Sequence, residues 1–589
     1  MILQALVDYY EALAAQGRVA KPGWGIAKIS YALNLDKQGR LLNVISLKLT
    51  KQKGKKAVEV PQNILLPEAT KRTSEVDAQF LWDNAKYVLG LDASGKVERS
   101  KQCFEAMAQK CQEILAAAVG EKATALKAFF ASWQPEAAHD NALLQPYMED
   151  LLSSANLMFK VEGESVEQDE EIRKAWDAYK SQQASDTAQG ICLVTGKKAP
   201  VARLHHKIKG LYGAQSSGAA LVSFNALAYE SYEHKQGDNA PVSEYAAFAY
   251  TTALNTLLAS ERNYLRIGEM TVVFWAEGAD KDNEDVFGDI FSSENKIIED
   301  ADLQGFFEKV SQGQAFSVKD YLVKPGNKFY ILGLSPNAAR ISVRFFFADT
   351  FGDFIKNYEQ YFREFEIIKP CFDNRVNVPL WQILQETANK NSKDKAASPL
   401  LAGAVLRSIL SGIKYPEALY QNTILRAKAD QDNPDKNITK ISRIKAAIIK
   451  ACLLRNYKNN EEVVTVALNE ECKRVPYVLG RLFAVLEDLQ EKANPGINST
   501  IKDRYFNSAC ATPSVTFPLL TKLANTHLKK ISAQRGTVIY FEKLIGELMN
   551  KLEVENNAMP ARLSLPEQGE FVLGYYHQVQ KRFEKREEK

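Results

Sequence analysis

The sequence lacks the short motifs that usually identify an enzyme. It contains no GxxxxGK(S/T), GxSxG, GxGxxG or HExxH pattern, so no P-loop ATPase, serine hydrolase, dinucleotide-binding enzyme or zinc protease is indicated. The seven cysteines form no CxxC pair, which argues against a zinc ribbon and fits reduced thiols in the cytosol. His139 and Asp140 form an isolated HD dipeptide in a region of helical pattern, with no further ligand nearby. We therefore predict no catalytic residue, no metal and no cofactor, although a site built from ordinary carboxylates would escape such a search.

Long apolar runs and an excess of charge are also missing. No run of about 18 apolar residues occurs, so no membrane span is expected. The N-terminus MILQALVDYYEALAAQG lacks the basic region of a signal peptide and has helical apolar spacing, which predicts an amphipathic helix. The formal net charge is only +3, from 75 basic and 72 acidic residues, so a nucleic-acid surface would have to be local. We expect a cytoplasmic protein of about three to four domains.

Strand and helix patterns divide the chain. Residues 26–33 and 41–49 are rich in β-formers and predict a hairpin around Gly39, and helical patterns dominate residues 100–185. Further strands are predicted at 270–275, 329–332 and 341–347, and polar loops are predicted at 389–399 and 427–439.

After about residue 352 the strand patterns fade and helical stripes follow. The stripes are Leu479, Leu482, Phe483, Leu486 and Leu489; Phe541, Leu544, Ile545, Leu548 and Leu552; and Phe571, Tyr575, Val579 and Phe583. Short loops between such helices favour an antiparallel bundle. The predicted fold class is α+β, with a mixed region of antiparallel strands at 1–352, a helical connecting region at 353–474 and an all-α bundle at 475–589.

Two polar segments are candidate binding sites. At 48–56 several lysines surround Gly54, a pattern that suits phosphate contact but is also common in solvated loops. At 192–255 the chain is rich in glycine, serine and asparagine, and GAQSSG follows a pair of lysines. Glycines allow close backbone approach, and small hydroxyl and amide groups can contact phosphates and base edges. A structural loop that caps neighbouring helices explains the second segment equally well.

The same segment carries a family resemblance. The runs CLVTG, VARLHHKIKG, GAQSSGAALVSFN and NAPVSEYAAFAYTTALN resemble the Csd-type family of type I-C CRISPR systems. Further similar runs are KRTSEVDAQFLWDNAKYVLG at 71–90, FYILGLSPNAARISVRFF at 329–346, RVPYVLGRLFAVLEDLQ at 474–490, TIKDRYFNSACATPSVTFP at 500–518 and FVLGYYHQ at 571–578. The resemblance extends over essentially the whole chain, so it is more specific than any single motif.

The resemblance implies the large subunit of a type I-C Cascade surveillance complex. Such a subunit recognises the protospacer-adjacent motif (PAM) in double-stranded DNA, promotes duplex opening and R-loop formation, and recruits the helicase-nuclease for antiviral interference. Guide pairing supplies the sequence specificity. The implied partners are crRNA, whose 5′ end the subunit contacts, target double-stranded DNA, the backbone, crRNA-processing and small subunits of Cascade, and the helicase-nuclease; no membrane is implied.

The family also implies that the small subunit can be translated from an internal start. No methionine lies between Met270 and Met549, so we hypothesise a GUG start near Val475.

The candidate contacts form three groups. For the PAM duplex they are Lys207, Lys209, Gln215, Ser216, Ser217, Asn225, Lys71, Arg72 and Asn84. For phosphate contact or a wedge they are Lys51, Lys53, Lys55 and Lys56. For the displaced strand they are Lys522, Lys529, Lys530 and Arg535, with Tyr505, Phe506 and Tyr540 nearby. The alternative for the third group is a solvated helix face over a core of aromatics. For the whole chain, the alternative is a stand-alone soluble enzyme with an unrecognised site.

Overall fold

The computed structural model describes most of the chain, in two compact units. The described residues are 1–53, 56–69, 76–92, 97–153, 155–185, 189–291, 302–373, 375, 378–390, 398–436, 438–457, 462–552 and 559–583. The first unit comprises residues 1–208 and 222–256, and the second comprises residues 209–221 and 257–589. These units do not test the predicted division at 352 and 474, which stays a prediction. Among the described residues, no helix combines the length and the apolar character needed to cross a membrane.

The first unit mixes helices with short strands. Its helices are α1 (Ile2–Ala15), α2 (Ala85–Val88), α3 (Val97–Ile114), α4 (Glu121–Ser132), α5 (Met148–Leu152), α6 (Glu170–Ser185) and α7 (Glu244–Ala259), the last of which ends in the second unit. Its strands are β1 (Trp24–Ile29), β2 (Tyr31–Leu35), β3 (Leu41–Ser46), β4 (Leu49–Lys53), β5 (Lys56–Val60), β6 (Gln62–Pro67), β7 (Trp82–Asn84), β8 (Asn156–Val161), β9 (Glu164–Ser165), β10 (Gln189–Ile191) and β11 (Lys198–Pro200).

The five-stranded sheet of this unit is packed on both faces. Its strand order is β3-β2-β8-β7, with β9 paired to β8, and β2 and β8 are parallel. Because successive side chains of a strand point to opposite faces, Leu33 and Phe159 join the core formed with the helices, whereas Ala32 and Met158 face a second cluster. Leu66 of the ribbon β1–β6 belongs to that second cluster.

The N-terminal helix is confirmed and the hairpin is confirmed in part. Helix α1 buries one apolar face, and β2 pairs antiparallel with β3 around a turn that contains Gly39 at φ +79°. A Cβ at Gly39 would lie 2.5 Å from the amide nitrogen of Phe129, so this turn requires glycine. A single strand at 26–33 is wrong, because Ser30 separates β1, which pairs with β6, from β2.

The second unit begins with strands and continues with helices. Its strands are β12 (Tyr264–Ile267), β13 (Met270–Ala276), β14 (Phe316–Val318), β15 (Tyr321–Val323), β16 (Lys328–Asn337) and β17 (Arg340–Thr350). Its helices are α8 (Lys281–Phe291), α9 (Leu303–Ser311), α10 (Phe351–Phe365), α11 (Leu380–Thr387), α12 (Pro399–Ser411), α13 (Glu417–Ala429), α14 (Arg443–Asn456), α15 (Val475–Ala493), α16 (Ile501–Ala511), α17 (Pro513–Lys530), α18 (Arg535–Asn550) and α19 (Leu565–Lys581).

The sheet of the second unit is antiparallel, in the order β12-β13-β16-β17. Strand β13 is buried along its whole length, which explains its continuous apolar sequence. Phe274 and Ile331 belong to one core with Val286 of α8 and Phe354 of α10. The three strands predicted at 270–275, 329–332 and 341–347 are therefore confirmed.

The predicted change from strands to helices is also confirmed. From α10 onward, the described residues form helices and turns, with one isolated bridge between Asn433 and Ile438. The loop predicted at 427–439 corresponds to the turn between α13 and α14, whereas most of the loop predicted at 389–399 lies outside the described residues. The α+β fold class with a C-terminal helical bundle therefore holds.

Helices α15 and α19 pack at very short distance. A Cβ on Gly480 would lie 2.0 Å from the carbonyl oxygen of Phe571, and one on Gly574 would lie 2.1 Å from that of Tyr477. The polar pairs are Arg474–Glu570, Arg481–Gln578 and Arg582–Ala484. Because these partners advance in the same direction along both helices, α15 and α19 are parallel. Three helices separate this pair in the chain, and the first and fifth helices of a bundle whose successive helices alternate in direction are parallel, so the pair is compatible with the predicted antiparallel bundle.

Candidate nucleic-acid interface

The residues Lys209 to Ser217 lie on a loop of the second unit that is fixed at its end by the sheet. Ala220 donates its amide to Ala339 at 2.9 Å and accepts the amide of Ile341 at 3.0 Å, which attaches the loop to the turn between β16 and β17. The Gly218 amide donates to the Gln215 carbonyl at 2.9 Å, and Gly218 has φ +91°. This tight turn presents the side chains of its polar residues to solvent. The exposed members are Lys209, Gln215, Ser216 and Ser217.

An aromatic–cation pair lies on the same loop and was not predicted. The guanidinium carbon of Arg266, in β12, lies 3.0 Å from the ring centroid of Tyr212, and both side chains are exposed. A cation over an exposed ring can contact both phosphate and base. No local pattern indicates this pair, because 53 residues lie between its two members in the chain and only the fold brings them together.

A second exposed loop, at 226–237, belongs to the first unit. The side-chain amide of Asn239 donates to the carbonyls of His234 and Gln236 at 2.9 and 3.0 Å, and its oxygen accepts the amide of Ser231 at 2.8 Å. Gly237 packs so closely on the backbone of Ala202 that a Cβ would lie 2.1 Å from the Ala202 carbonyl oxygen. One asparagine and one glycine therefore hold the loop in place.

This loop exposes aromatic and basic side chains. Tyr232 is 94% exposed at φ +51°, and Tyr229 is also exposed. Non-glycine residues rarely adopt positive φ, so an exposed tyrosine held there is unusual. Arg203 contacts the loop through a hydrogen bond from its guanidinium to the Gln236 side-chain oxygen at 3.1 Å. These residues were not predicted, and backbone conformation is what distinguishes them.

The remaining glycine-rich candidates belong to the first unit. Lys207 is exposed, and its carbonyl accepts the side-chain amide of Asn255 at 3.4 Å; Asn225 is also exposed. The predicted cluster is thus divided between the two units, with Lys207 and Asn225 in one and Lys209 in the other.

Cys192, at the start of the glycine-rich segment 192–255, connects two parts of the first unit. Burial raises the pKa of its thiol, but hydrogen bonds from Ser243 and Thr195 outweigh burial and lower it to about 7. The Ser243 amide donates to the sulfur at 3.2 Å, and the Leu193 amide donates to the Pro241 carbonyl at 2.8 Å. This thiol therefore connects the hairpin β10–β11 to the start of α7.

No group of three or more histidine, cysteine or acidic side chains in the described residues is arranged to hold a metal.

Residues 49–53 and 56–60, on either side of the middle of the predicted lysine-rich loop, form two paired strands. Strands β4 and β5 pair antiparallel, with Lys53 opposite Lys56. Lys51, Lys53 and Lys56 lie in these strands, while the side chains at 51–56 and the whole of Lys55 lie outside the described residues.

Lys48 precedes this hairpin and is engaged in the fold. Its ammonium is bonded to Asp150 and lies 5.1 Å from the Tyr31 ring centroid. These interactions raise the pKa of Lys48, chiefly through the hydrogen bond to Asp150.

Three further PAM candidates precede α2 in the chain. Asn84 caps this helix, because its side-chain oxygen accepts the Lys86 amide at 3.1 Å. This oxygen therefore has a structural partner. Lys71 and Arg72 lie outside the described residues.

The displaced-strand candidates lie on α17 and at the start of α18. All four side chains are exposed, and the Lys530 ammonium donates to Asn494 at 2.5 Å. Of the nearby aromatics, Phe506 is fully buried in the core, Tyr505 is partly buried and Tyr540 is 49% exposed. Phe506 therefore belongs to the core, as the alternative interpretation proposed, whereas Tyr540 is accessible to a ligand. The four displaced-strand candidates with exposed side chains are Lys522, Lys529, Lys530 and Arg535.

Comparison with protein families gives a match over nearly the whole chain. A family model described as CRISPR-associated protein (Cas_Csd1) matches residues 6–583, nearly the whole chain and all of the segments described above. The comparison with curated proteins gave no match. Because the matched region covers far more than half of the sequence, the chain belongs to this family of CRISPR-associated proteins.

Proposed function

We propose that this protein is the large subunit of a type I-C Cascade complex, which recognises the PAM in double-stranded DNA and starts R-loop formation. The observation that carries the proposal is the family match over residues 6–583. The guide RNA would supply sequence specificity by base pairing, so this subunit would read only a short duplex element. It would act without catalysis, in the cytoplasm, with crRNA, the other Cascade subunits and the helicase-nuclease as partners.

The two exposed loops support duplex reading. The loop at 209–221 offers Gln215 and two serines, whose amide and hydroxyl groups can bond base edges and phosphates. The loop at 226–237, whose backbone is held by Asn239, offers the exposed ring of Tyr232, which suits insertion at an opened base step. Each loop is attached to a folded unit by backbone hydrogen bonds, so its side chains are positioned before a ligand arrives.

The hairpin β4–β5 suits contact with the DNA backbone. Its register places the backbone of Lys53 opposite that of Lys56, and lysines close together on a ribbon can contact phosphates without reading bases. The exposed lysines of α17 suit the displaced single strand in the same way.

The position of α15 supports a separately translated small subunit. Helix α15 begins at Val475, so a product that starts there would contain α15 to α19 complete, including the close pair α15–α19. The N-terminal mass of the small protein that co-purifies tests this. A start far from 475, or no small product, would contradict it.

Purification tests the assembly. When the chain is tagged and expressed with its neighbouring genes, it should co-purify with a guide RNA and several partner subunits. A chain that purifies alone from such cells, without RNA, would support a stand-alone enzyme instead.

Duplex binding tests the reading role. Gln215→Ala should weaken binding of the assembled complex to motif-bearing duplex by about tenfold and leave motif-lacking duplex nearly unchanged, because base contacts carry specificity. Gln312→Ala, an exposed glutamine at the end of α9, is the matched control. Equal losses on both duplexes would assign Gln215 a structural role.

Salt dependence tests the hairpin. Lys53→Ala should weaken binding of the complex to both motif-bearing and motif-lacking duplex. It should also reduce the slope of log affinity against log salt by about one, the value for one lost phosphate contact. Lys174→Ala removes an exposed lysine of α6 and should leave the slope unchanged. An unchanged slope for Lys53→Ala would show that the hairpin does not contact DNA.

A further inference from the structure

A cavity of about 590 Å³ lies within the second unit. It is lined by the segment that precedes α11, by α11 itself, by the first turn of α14 and by the C-terminal end of α19. Its volume falls in the range of about 300–1,000 Å³ that is typical of small-molecule sites. None of the candidate contacts named in the sequence analysis lines it, so it is a separate feature of the molecule.

Two buried glutamines line this cavity without protein partners. Gln382 is 8% exposed and Gln580 is 9% exposed. Within the described part of the chain, neither side-chain amide makes a hydrogen bond to protein, whereas the neighbouring Gln578 accepts one from Arg481. Neither amide is among the side-chain atoms that the fold closes off from solvent without a partner, so both groups are open to a ligand that donates and accepts hydrogen bonds. The edge of a nucleobase has that property.

Three aromatic side chains line the same cavity and remain exposed. Phe372 is 84% exposed, Phe583 is 64% exposed and Trp381 is 49% exposed. Phe583 is the member of the third apolar stripe that the fold leaves out of the core. Exposed rings beside a cavity suit stacking on a flat, uncharged ring system such as a base.

The charged groups of the cavity leave an excess of positive charge. Asp373 accepts two hydrogen bonds from the Arg375 guanidinium, both at 2.8 Å, one from the Arg375 backbone amide at 3.1 Å and one from the Arg443 guanidinium at 3.1 Å. Two guanidinium groups therefore share one carboxylate. Lys502 is paired with Asp432 at 2.6 Å and Lys390 with Glu386 at 3.2 Å, so these two pairs add no net charge. The Arg375 side chain is 52% exposed, so it can accommodate a phosphate.

We propose that this cavity binds one unpaired nucleotide of a single-stranded nucleic acid. The base stacks on the exposed aromatics, its edge bonds to Gln382 and Gln580, and the phosphate lies at Arg375. The proposal goes beyond duplex recognition and does not depend on it, because the cavity shares no residue with the duplex candidates. Failure of motif recognition and failure of this site would therefore appear in different measurements.

Cys371 provides a test on the unmodified protein. Of the seven cysteines, all of which the structure describes, six are buried, and Cys371 is exposed and lines the cavity. The rate at which N-ethylmaleimide alkylates Cys371 in the full chain is measured by mass spectrometry. We expect short single strands of oligodeoxyadenylate or oligoriboadenylate to slow alkylation by about tenfold. A fully paired duplex should leave the rate unchanged.

Variants test the individual contacts through fluorescence anisotropy of a labelled single strand. Trp381→Ala should weaken binding by about tenfold, while Trp381→Phe, which keeps an aromatic ring, should retain most of it. Gln382→Leu and Gln580→Leu keep the volume but remove the amides and should reduce affinity and base preference together. Gln421→Leu, an exposed glutamine of α13 outside the cavity, is the matched control.

Three outcomes would overturn the proposal. The first is unchanged Cys371 alkylation at strand concentrations that saturate binding, or no binding of single strands at all. The second is equal protection by a fully paired duplex. The third is equal protection by free dAMP at the same nucleotide concentration, which would make the cavity a site for a free nucleotide. A difference between the DNA and RNA strands would identify the source of the bound nucleotide and support the proposal.

Discussion

The exposed loops at 209–221 and 226–237 use polar residues differently from the helical part of the second unit. In the loops, the side chains of Gln215 and Ser216 face solvent, and the loop backbone is fixed by turns and by Asn239. In the helical part, Glu364 is 4% exposed and accepts hydrogen bonds from Tyr415 at 2.7 Å and Arg455 at 3.0 Å. The polar groups of the loops are therefore exposed, whereas those of the helical part stabilise the fold. Substitutions in the helical part should therefore change mainly the free energy of unfolding, whereas those in the loops should change mainly the affinity for DNA.

The largest loss of stability is expected at the buried ion pair. Glu364→Gln leaves the Arg455 guanidinium buried without a counter-charge and should lower the free energy of unfolding by about 3–5 kcal/mol. Glu547→Gln is the matched control, because its partner Lys543 is 3.9 Å away and both side chains are exposed; it should change stability by less than about 0.5 kcal/mol. Urea denaturation of both variants measures the difference. Similar values for the two would show that burial does not decide the role of these carboxylates.

The next effect is expected where α15 and α19 cross. Gly480→Ala places a methyl group against the backbone of Phe571 and should cost about 1–3 kcal/mol or prevent folding. Gly546→Ala in α18 has open space around the new methyl group and should be neutral or stabilise by about 0.5–1 kcal/mol, because alanine favours a helix. Thermal unfolding of the two variants distinguishes close packing from helix propensity. A stabilising Gly480→Ala would contradict the short helix separation.

Lowering the pH should reduce the free energy of unfolding by an intermediate amount, through His577. Burial, with smaller contributions from the charges of Lys450 and Arg481, lowers the pKa of His577 to about 3. The Nδ1 atom of His577 lies 2.8 Å from the Tyr477 hydroxyl. The unfolded chain binds this proton near pH 6.5 and the folded chain does not, so the stability is fully present above pH 6.5 and is lost as the pH falls toward 3.

The slope from this one group is at most about 1.4 kcal/mol per pH unit. His577→Gln should remove that part of the pH dependence, as measured by urea unfolding between pH 4 and 7. Identical slopes for the two proteins would mean that His577 is not held neutral.

The smallest change in stability is expected in the exposed loop. Tyr232→Asn suits the left-handed backbone at this position and should alter the free energy of unfolding by less than about 0.5 kcal/mol. The substitution should nevertheless weaken binding of the complex to motif-bearing duplex by about fivefold, because the ring is lost. Tyr232→Phe keeps the ring and should bind this duplex with normal affinity. Anisotropy and thermal unfolding are compared for both variants. A large loss of stability in Tyr232→Asn would show that this tyrosine stabilises the fold, as the buried polar residues of the helical part do.

Local patterns predicted most of the helices and several strands. Helix α1 and strands β13, β16 and β17 were identified because apolar spacing and β-formers are properties of neighbouring residues. Strand β8 was missed within a region of helical pattern, since its parallel partner β2 is more than 100 residues away. Pairing between distant strands leaves little local signal.

The candidate interface was predicted in part. Exposure of Gln215, Ser216 and Ser217 agrees with a contact role, which stays a prediction. Lys51, Lys53 and Lys56 were assigned to a loop but lie in paired strands, and the Asn84 oxygen is engaged in a helix cap. The pair Tyr212–Arg266 depends on the packing of β12 beside the loop, so no sequence pattern could show it.

The sequence by itself determined many of the helices, several of the strands, the family, and the segments that are rich in glycine and lysine, because these are properties of residue type and spacing. The tertiary structure decided which polar groups are free for a ligand and which hold the fold. Lys48 and Phe506 both lie near predicted contacts, yet one is paired with Asp150 and the other is buried. The structure also placed Gln382, Gln580 and three exposed rings around one cavity, although they come from segments about 200 residues apart. Burial and pairing are set by residues distant in the chain, and no local pattern encodes them.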